Sequence, residues 1–84
     1  SFVAKELILL KLKNSIKNRK KTLDIANKYN ASILIDSNTE LIFEMSGTTL
    51  QISNFIEKMR PYGIIELTRS GLVSMSLGLD YIKK

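Results

Sequence analysis

The sequence contains neither cysteine nor histidine, and each absence removes a class of function. Without cysteine no disulfide can form, so secretion gains no support. Zinc, haem and iron–sulfur sites are nearly excluded, as are catalytic triads with a histidine or cysteine base. We therefore expect that only a mechanism based on carboxylates or lysines could make this chain an enzyme.

Proline, glycine and long apolar runs are also scarce. One proline and four glycines among 84 residues are too few for a linker, and 44% hydrophobic residues are too many for disorder. No apolar run approaches the ~18 residues of a membrane span. The beginning of the chain does not have the pattern of a signal peptide. The length predicts a single domain, residues 1–84, with one modest core.

Basic side chains are concentrated in the N-terminal part of the chain. The net charge is +5, and residues 1–30 hold eight lysines and arginines against two acidic residues. A basic surface can bind nucleic acid or an acidic protein. A solvated loop and helix face is the simpler interpretation.

Hydrophobic periodicity predicts the order βαββαβ. The strands are expected at residues 6–13, 32–36, 39–45 and 64–69, and the first helix at about 19–29. The second helix begins with a capping box of Thr48 and Gln51 and ends at Pro61. This order is typical of an α+β, ferredoxin-like sandwich, in which a four-stranded antiparallel sheet carries both helices on one face.

The same periodicity separates the two faces of the sheet. The side chains expected to face the helices are Ile8, Leu10, Leu12, Leu23, Ala26, Tyr29, Ile33, Ile35, Leu41, Phe43, Met45, Leu50, Phe55, Ile56, Met59, Ile65 and Leu67, with Ile52 beside them. The apolar residues expected on the other face, here called the open face, are Leu7, Leu9, Leu34, Ile42 and Ile64. Such a mixed face predicts contact with another domain or subunit, although scattered exposed apolar residues are also normal.

The C-terminal tail shows a second alternating pattern. Val73, Met75, Leu77 and Leu79 alternate with small residues. This favours an extra edge strand or pairing with another chain; a frayed terminus is the alternative.

No arrangement of residues predicts catalysis or metal binding. Glu40 and Glu44 would lie roughly 13 Å apart on a strand, too far for a glycosidase pair. RNA-recognition domains of this topology stack bases on exposed aromatics. Phe43 is assigned to the core and the open face carries no aromatic, so we expect no nucleic-acid binding.

Residues 47–71 (GTTLQISNFIEKMRPYGIIELTRSG) resemble the C-terminal domain of the acetolactate (acetohydroxyacid) synthase small subunit. The family pattern has Gly-Thr before a helix, Arg-Pro-Tyr/Phe-Gly-Ile after it, and then Glu-Leu-Val-Arg-Thr-Gly, which residues 60–64 and 66–71 match. Residues 6–12 and 31–36 are compatible with two further family strands. Leu77 departs from the pattern, since the family usually has arginine there.

The resemblance implies a non-catalytic regulatory subunit of branched-chain amino acid biosynthesis. It implies a catalytic large subunit as partner and a ferredoxin-like fold. We also expect a second copy as a partner, and no membrane contact because long apolar runs are absent. The richness in lysine, asparagine and isoleucine is compatible with a bacterial cytoplasm or a plastid. Thiamine diphosphate, magnesium and FAD would belong to the large subunit, so no cofactor is expected in this chain. The family's valine site lies in an N-terminal ACT domain, which this chain is expected to lack.

We predict an interface on the open face and the tail. Its residues are Leu7, Leu9, Leu34, Ile42, Arg69, Gly71, Val73 and Met75. The alternative function is a free-standing ferredoxin-like module for effector binding or dimerisation.

Overall fold

The computed structural model describes residues 2–76, which form one sheet and two helices. The elements are β1 (Phe2–Lys13), α1 (Arg19–Lys28), β2 (Ser32–Asp36), β3 (Glu40–Gly47), α2 (Thr49–Met59) and β4 (Ile64–Ser76), with a 3-10 turn at Arg60–Tyr62. The strands are all antiparallel and lie in the order β2-β3-β1-β4. The predicted ferredoxin-like βαββαβ fold is confirmed.

The hydrophobic core lies between the sheet and the helices. Alternate residues of β1 and β3 point into it, because successive side chains of a strand face opposite sides. The buried hydrophobic residues are Ile8, Leu10, Leu12, Ala26, Leu41, Phe43, Met45, Ile52, Phe55, Ile56 and Met59. At the end of α1, the ring of Tyr29 packs on that of Phe55 with centroids 5.5 Å apart.

The capping box at the start of α2 is confirmed. The backbone N–H of Gln51 donates to Thr48 Oγ1 at 3.2 Å, and the backbone N–H of Thr48 donates to Gln51 Oε1 at 2.9 Å. The prediction that Leu50 faces the core is wrong, since its side chain is 70% exposed. The buried stripe instead begins at Ile52, which is one turn before Phe55 and Ile56.

A β-bulge in β2 reverses the predicted alternation. Ile33 lies opposite Phe43, but Ile35 lies opposite Ile42, so Leu34 is the extra residue between them. Ile35 therefore lies on the open face and is 44% exposed, and its assignment to the core is wrong. The bulge also places Asp36 opposite the buried Leu41, on the helix side of the sheet.

A second bulge, in β4, has the same effect. Glu66 lies opposite Lys11 and Ile64 opposite Leu12, which leaves Ile65 as the extra residue. Ile64 packs against the core while Ile65 is 58% exposed, so the predicted positions of both are wrong. Leu67 lies opposite the buried Leu10, on the predicted side of the sheet.

As far as Ser76, the tail continues β4, and residues 2–76 contain no fifth strand. Residues 72–76 pair with residues 2–6 of β1, which is longer than predicted. β3 ends at Gly47, opposite Glu6, so residues 2–5 and 73–76 pair only with each other within the described sheet. We call this two-stranded ribbon the arm; it extends roughly 13 Å past β3. The predicted tail residues Leu77 and Leu79 lie outside the described residues.

An ion pair between α1 and β2 makes stability depend on pH. The Arg19 guanidinium donates to both Asp36 carboxylate oxygens, at 2.7 and 2.6 Å. These hydrogen bonds lower the pKa of Asp36 from its usual 3.8. Because the folded-state pKa is the lower one, the stabilisation is complete above about pH 5 and is lost as the pH falls through the folded value.

We expect Asp36→Asn to destabilise the fold near neutral pH and to have little effect in acid. Urea denaturation of both proteins from pH 7 to pH 2 measures this difference. The difference in unfolding free energy should stay constant down to about pH 5 and shrink below pH 3.8. A difference that is the same at pH 2 and pH 7 would contradict the ion pair as its source.

Candidate interaction surface

The open face carries a run of partly exposed apolar side chains across three strands and into the arm. Antiparallel register places opposed residues on the same face of the sheet. We call this set the apolar strip; it consists of Ile35, Ile42, Leu9, Leu7, Val3, Val73 and Met75. The exposed fraction of the residue rises from 38% at Leu9 in the sheet to 68% at Val73 and 75% at Met75 in the arm. Lys5 lies on this face between Leu7 and Val3, opposite Val73. An exposed apolar strip of this kind is the usual mark of a protein–protein contact.

Charged residues border the apolar strip where β1, β3 and β4 lie side by side. Lys11 Nζ donates to Glu66 at 3.0 Å and lies 3.9 Å from a carboxylate oxygen of Glu40. The hydrogen bond to Glu66 and the nearby Glu40 raise the pKa of Lys11. Leu9 and Ile42 line a shallow depression next to this cluster. An apolar centre with a charged border is typical of transient interfaces.

Polar contacts connect the sheet to the arm at a place that we call the joint, which consists of Glu6, Leu7, Arg69, Ser70 and Gly71. Leu7 faces two residues of β4, Ser70 and Gly71, and Gly71 adopts a φ of +81° that other residues rarely reach. Ser70 Oγ accepts the backbone N–H of Leu7 at 2.9 Å. The Arg69 guanidinium donates from Nε and Nη2 to the buried carboxylate of Glu6. These contacts fix the direction in which the arm leaves the sheet.

The predicted interface residues therefore fall into two groups. Leu7, Leu9, Ile42, Val73 and Met75 lie together on the open face. The remaining three are Leu34, Arg69 and Gly71. Leu34 lies at the β2 bulge, Arg69 on the helix side of the sheet, and Gly71 in the joint. The structure therefore does not bring these three together with the first group.

Sequence reasoning missed Val3 and Ile35, which the structure adds to the apolar strip. It also missed the pairing of Glu6 with Arg69, for which a signal was present. Glu6 has the same alternation as the core residues Ile8 and Leu10, and a carboxylate that points inward requires a cationic partner. Arg69 has the alternation of Leu67 and could have been assigned as that partner.

Neither metal-binding clusters nor long apolar helices occur in the described part of the chain. Residues 2–76 contain no group of three or more acidic side chains close enough to hold a metal ion. Neither of the helices within this range is long and apolar enough to cross a membrane.

Comparisons of this chain with known proteins all identify the same family. The model of the family described as the small subunit of acetolactate synthase matches residues 5–78. A probable acetolactate synthase small subunit of Archaeoglobus fulgidus is 36% identical over 78 residues, which cover 93% of this chain and 49% of the relative. The acetolactate synthase small subunit of Bacillus subtilis is 30% identical over 78 residues, which cover 93% of this chain and 45% of the relative.

A solved structure supports the fold. The crystal structure of the small subunit from Thermotoga maritima superposes with a TM-score of 0.85 at 20% identity, covering 93% of this chain and 48% of the other. The chain thus spans about half the length of the relatives that it matches.

Proposed function

This chain belongs to the family of acetolactate synthase small subunits, and from that membership we propose that it is a non-catalytic regulatory domain that binds the catalytic subunit and raises its activity. The observation that carries the proposal is the apolar strip. Its seven side chains lie on the sheet face that the chain's own helices leave uncovered. Covering this face with the catalytic subunit would bury apolar surface at a gain of about 25 cal/mol per Å².

The arm supports the same proposal. Val73 and Met75 expose most of their side chains, while the joint holds their strand at a fixed angle to the sheet. A preorganised contact loses less conformational entropy on binding than a flexible one. The arm would therefore add contact area at a low ordering cost.

The division of roles within the enzyme follows from the proposal. Thiamine diphosphate, magnesium and FAD would be held by the catalytic subunit, with none in this chain. Valine inhibition would require an ACT domain and would not arise from these residues alone. The pathway would be branched-chain amino acid biosynthesis, in the cytoplasm or the plastid stroma.

The test is acetolactate formation by the catalytic subunit with increasing amounts of this chain. We expect activation by the parent chain and a loss of at least about tenfold in its apparent affinity with Leu9→Asp or Val73→Asp, because each places a desolvated carboxylate in an apolar contact. Leu50→Asp is the matched control, since Leu50 is 70% exposed on α2, on the helix side of the sheet. Circular dichroism verifies that each variant is folded.

Two results would contradict the proposal. The first is activation that Leu9→Asp and Val73→Asp leave unchanged. The second is a loss of apparent affinity with Leu50→Asp that equals the loss with these two variants. We propose in addition that two copies associate through the open face when the catalytic subunit is absent. Sedimentation of the chain alone should then shift toward the monomer with Leu9→Asp.

A further inference from the structure

A cavity at the end of the sheet from which the arm extends is lined by lysines and by uncharged polar groups. It has a volume of about 560 Å³ and lies where the arm leaves the sheet, beside the end of α1 and the start of α2. We call it the notch. Lys5 of the arm and Lys28 of α1 supply its charge, while Tyr29, Asn30, Ser46 and Gln51 supply hydroxyl and amide groups. No carboxylate belongs to the part of its lining that the structure describes.

Both lysines are free of ion pairs within residues 2–76. The acidic residues near the other cations are already engaged: Glu6 binds Arg69, Asp24 binds Lys20 and Asp36 binds Arg19. Glu40 and Glu66 lie against Lys11 on the open face, and Glu57 binds Arg60. Glu44 lies opposite Leu9 on the same face and does not line the notch. The notch therefore holds two positive charges that no described carboxylate offsets, and its potential favours an anion.

The walls of the notch are held in place by local structure. Asn30 adopts a φ of 57°, which ends α1 and turns the chain toward β2. Gly47 is buried, and a Cβ there would lie 2.6 Å from Gln51 Oε1. Gln51 Oε1 is in turn fixed by the backbone N–H of Thr48. The amide nitrogen of Gln51 has no part in this capping box, so it is available to donate to a ligand.

From this combination we infer that the notch binds a small molecule that carries a phosphate group. A phosphomonoester has a charge of about −1.5 to −2 at pH 7 and accepts several hydrogen bonds, which suits two lysines surrounded by neutral donors. The volume lies within the ~300–1,000 Å³ of small-molecule sites, so a nucleotide-sized ligand fits. A zwitterionic amino acid has no net charge to match the two lysines. Lys5 is the cross-strand neighbour of Val73, so the notch borders the apolar strip. The test below uses this chain alone and therefore does not depend on the proposed binding to the catalytic subunit.

The test is an NMR titration of the chain with inorganic phosphate and with pyrophosphate at constant ionic strength, with acetate as the singly charged control. We expect saturable shifts of the backbone amides of Asn30, Gly47 and Gln51, with pyrophosphate tighter than phosphate and acetate without saturation. Lys5→Gln and Lys28→Gln should each weaken pyrophosphate binding about fivefold, as for a partly exposed charge contact. The double variant should weaken it about 25-fold.

Lys17→Gln/Lys21→Gln is the matched control, because it removes the same charge from residues outside the notch. It should change pyrophosphate affinity less than twofold. An equal loss in both double variants would overturn the proposal, since general attraction to a basic protein would then explain the binding. Shifts that do not saturate, or that occur away from the notch, would also overturn it.

Discussion

Phe43→Ala should remove a large share of the stability of this domain. Phe43 is fully buried at the centre of β3, where it lies opposite Leu10 of β1 and Ile33 of β2. Removing a buried ring costs about 3–5 kcal/mol, because the burial energy is lost and a cavity is left. A domain of this length has a total of roughly 4–13 kcal/mol at 0.05–0.15 kcal/mol per residue. The urea midpoint of the variant should therefore fall sharply, and a parent stability near the low end of this range would leave the variant unfolded at 37 °C.

Urea denaturation followed by circular dichroism measures this loss. Phe43→Leu keeps most of the volume and should cost about 1–2 kcal/mol, so the prediction can be tested even if the alanine variant does not fold. Leu50→Ala is the control, because its side chain is exposed and should change stability by less than about 0.5 kcal/mol. If Phe43→Leu cost no more than Leu50→Ala, Phe43 would not be at the centre of the core.

The order of elements could be predicted from the sequence because each element carries its own local signal. In β3 the core residues Leu41, Phe43 and Met45 alternate with Glu40, Ile42 and Glu44, and α2 has a capping box at one end and a proline after the other. Such signals depend on the pleat of a strand or on the amides of one helical turn. They act within a few residues, so no knowledge of the tertiary structure is needed.

The bulges could not be predicted in this way. Leu34 and Ile65 become extra residues only because of how β2 and β4 align with their neighbours. A bulge reverses the faces of the residues beyond it, which explains the errors at Ile35 and Ile64. Register is a property of two strands together, and apolar runs such as SILID and IIEL fit either register.

The interaction surface was also predicted only in part, because alternation assigns a residue to the correct face only where no bulge intervenes. Leu7, Leu9 and Ile42 lie on strands without bulges between them and follow simple alternation. The arm was missed because Lys5 and Glu6 interrupt the apolar pattern at the start of β1. Only the pairing of residues 2–6 with residues 72–76 makes this segment a strand.

Arg69→Met should destabilise the chain through the charge that it leaves behind. Glu6 has only 8% of its side chain exposed, and the Arg69 guanidinium is its ion-pair partner. Removing one member of a buried pair costs about 3–5 kcal/mol; because Arg69 is 39% exposed, we expect about 2–3 kcal/mol here. The joint should loosen as well, so that the backbone amides of Leu7 and the arm exchange with solvent faster than in the parent chain.

The double variant Glu6→Leu/Arg69→Met distinguishes the contribution of the ion pair to stability from that of the packing around it. Replacing both members of a buried ion pair by apolar residues is often neutral, so stability should return to within about 1 kcal/mol of the parent. The double-mutant cycle, completed by the single variant Glu6→Leu, should then give a coupling energy of at least about 1 kcal/mol. Additive costs would mean that Glu6 does not depend on Arg69. If the double variant recovers stability but the amides of its arm still exchange fast, the ion pair, and not apolar packing, sets the direction of the arm. If these amides exchange slowly, the bulge at Gly71 and Ser70 have that role.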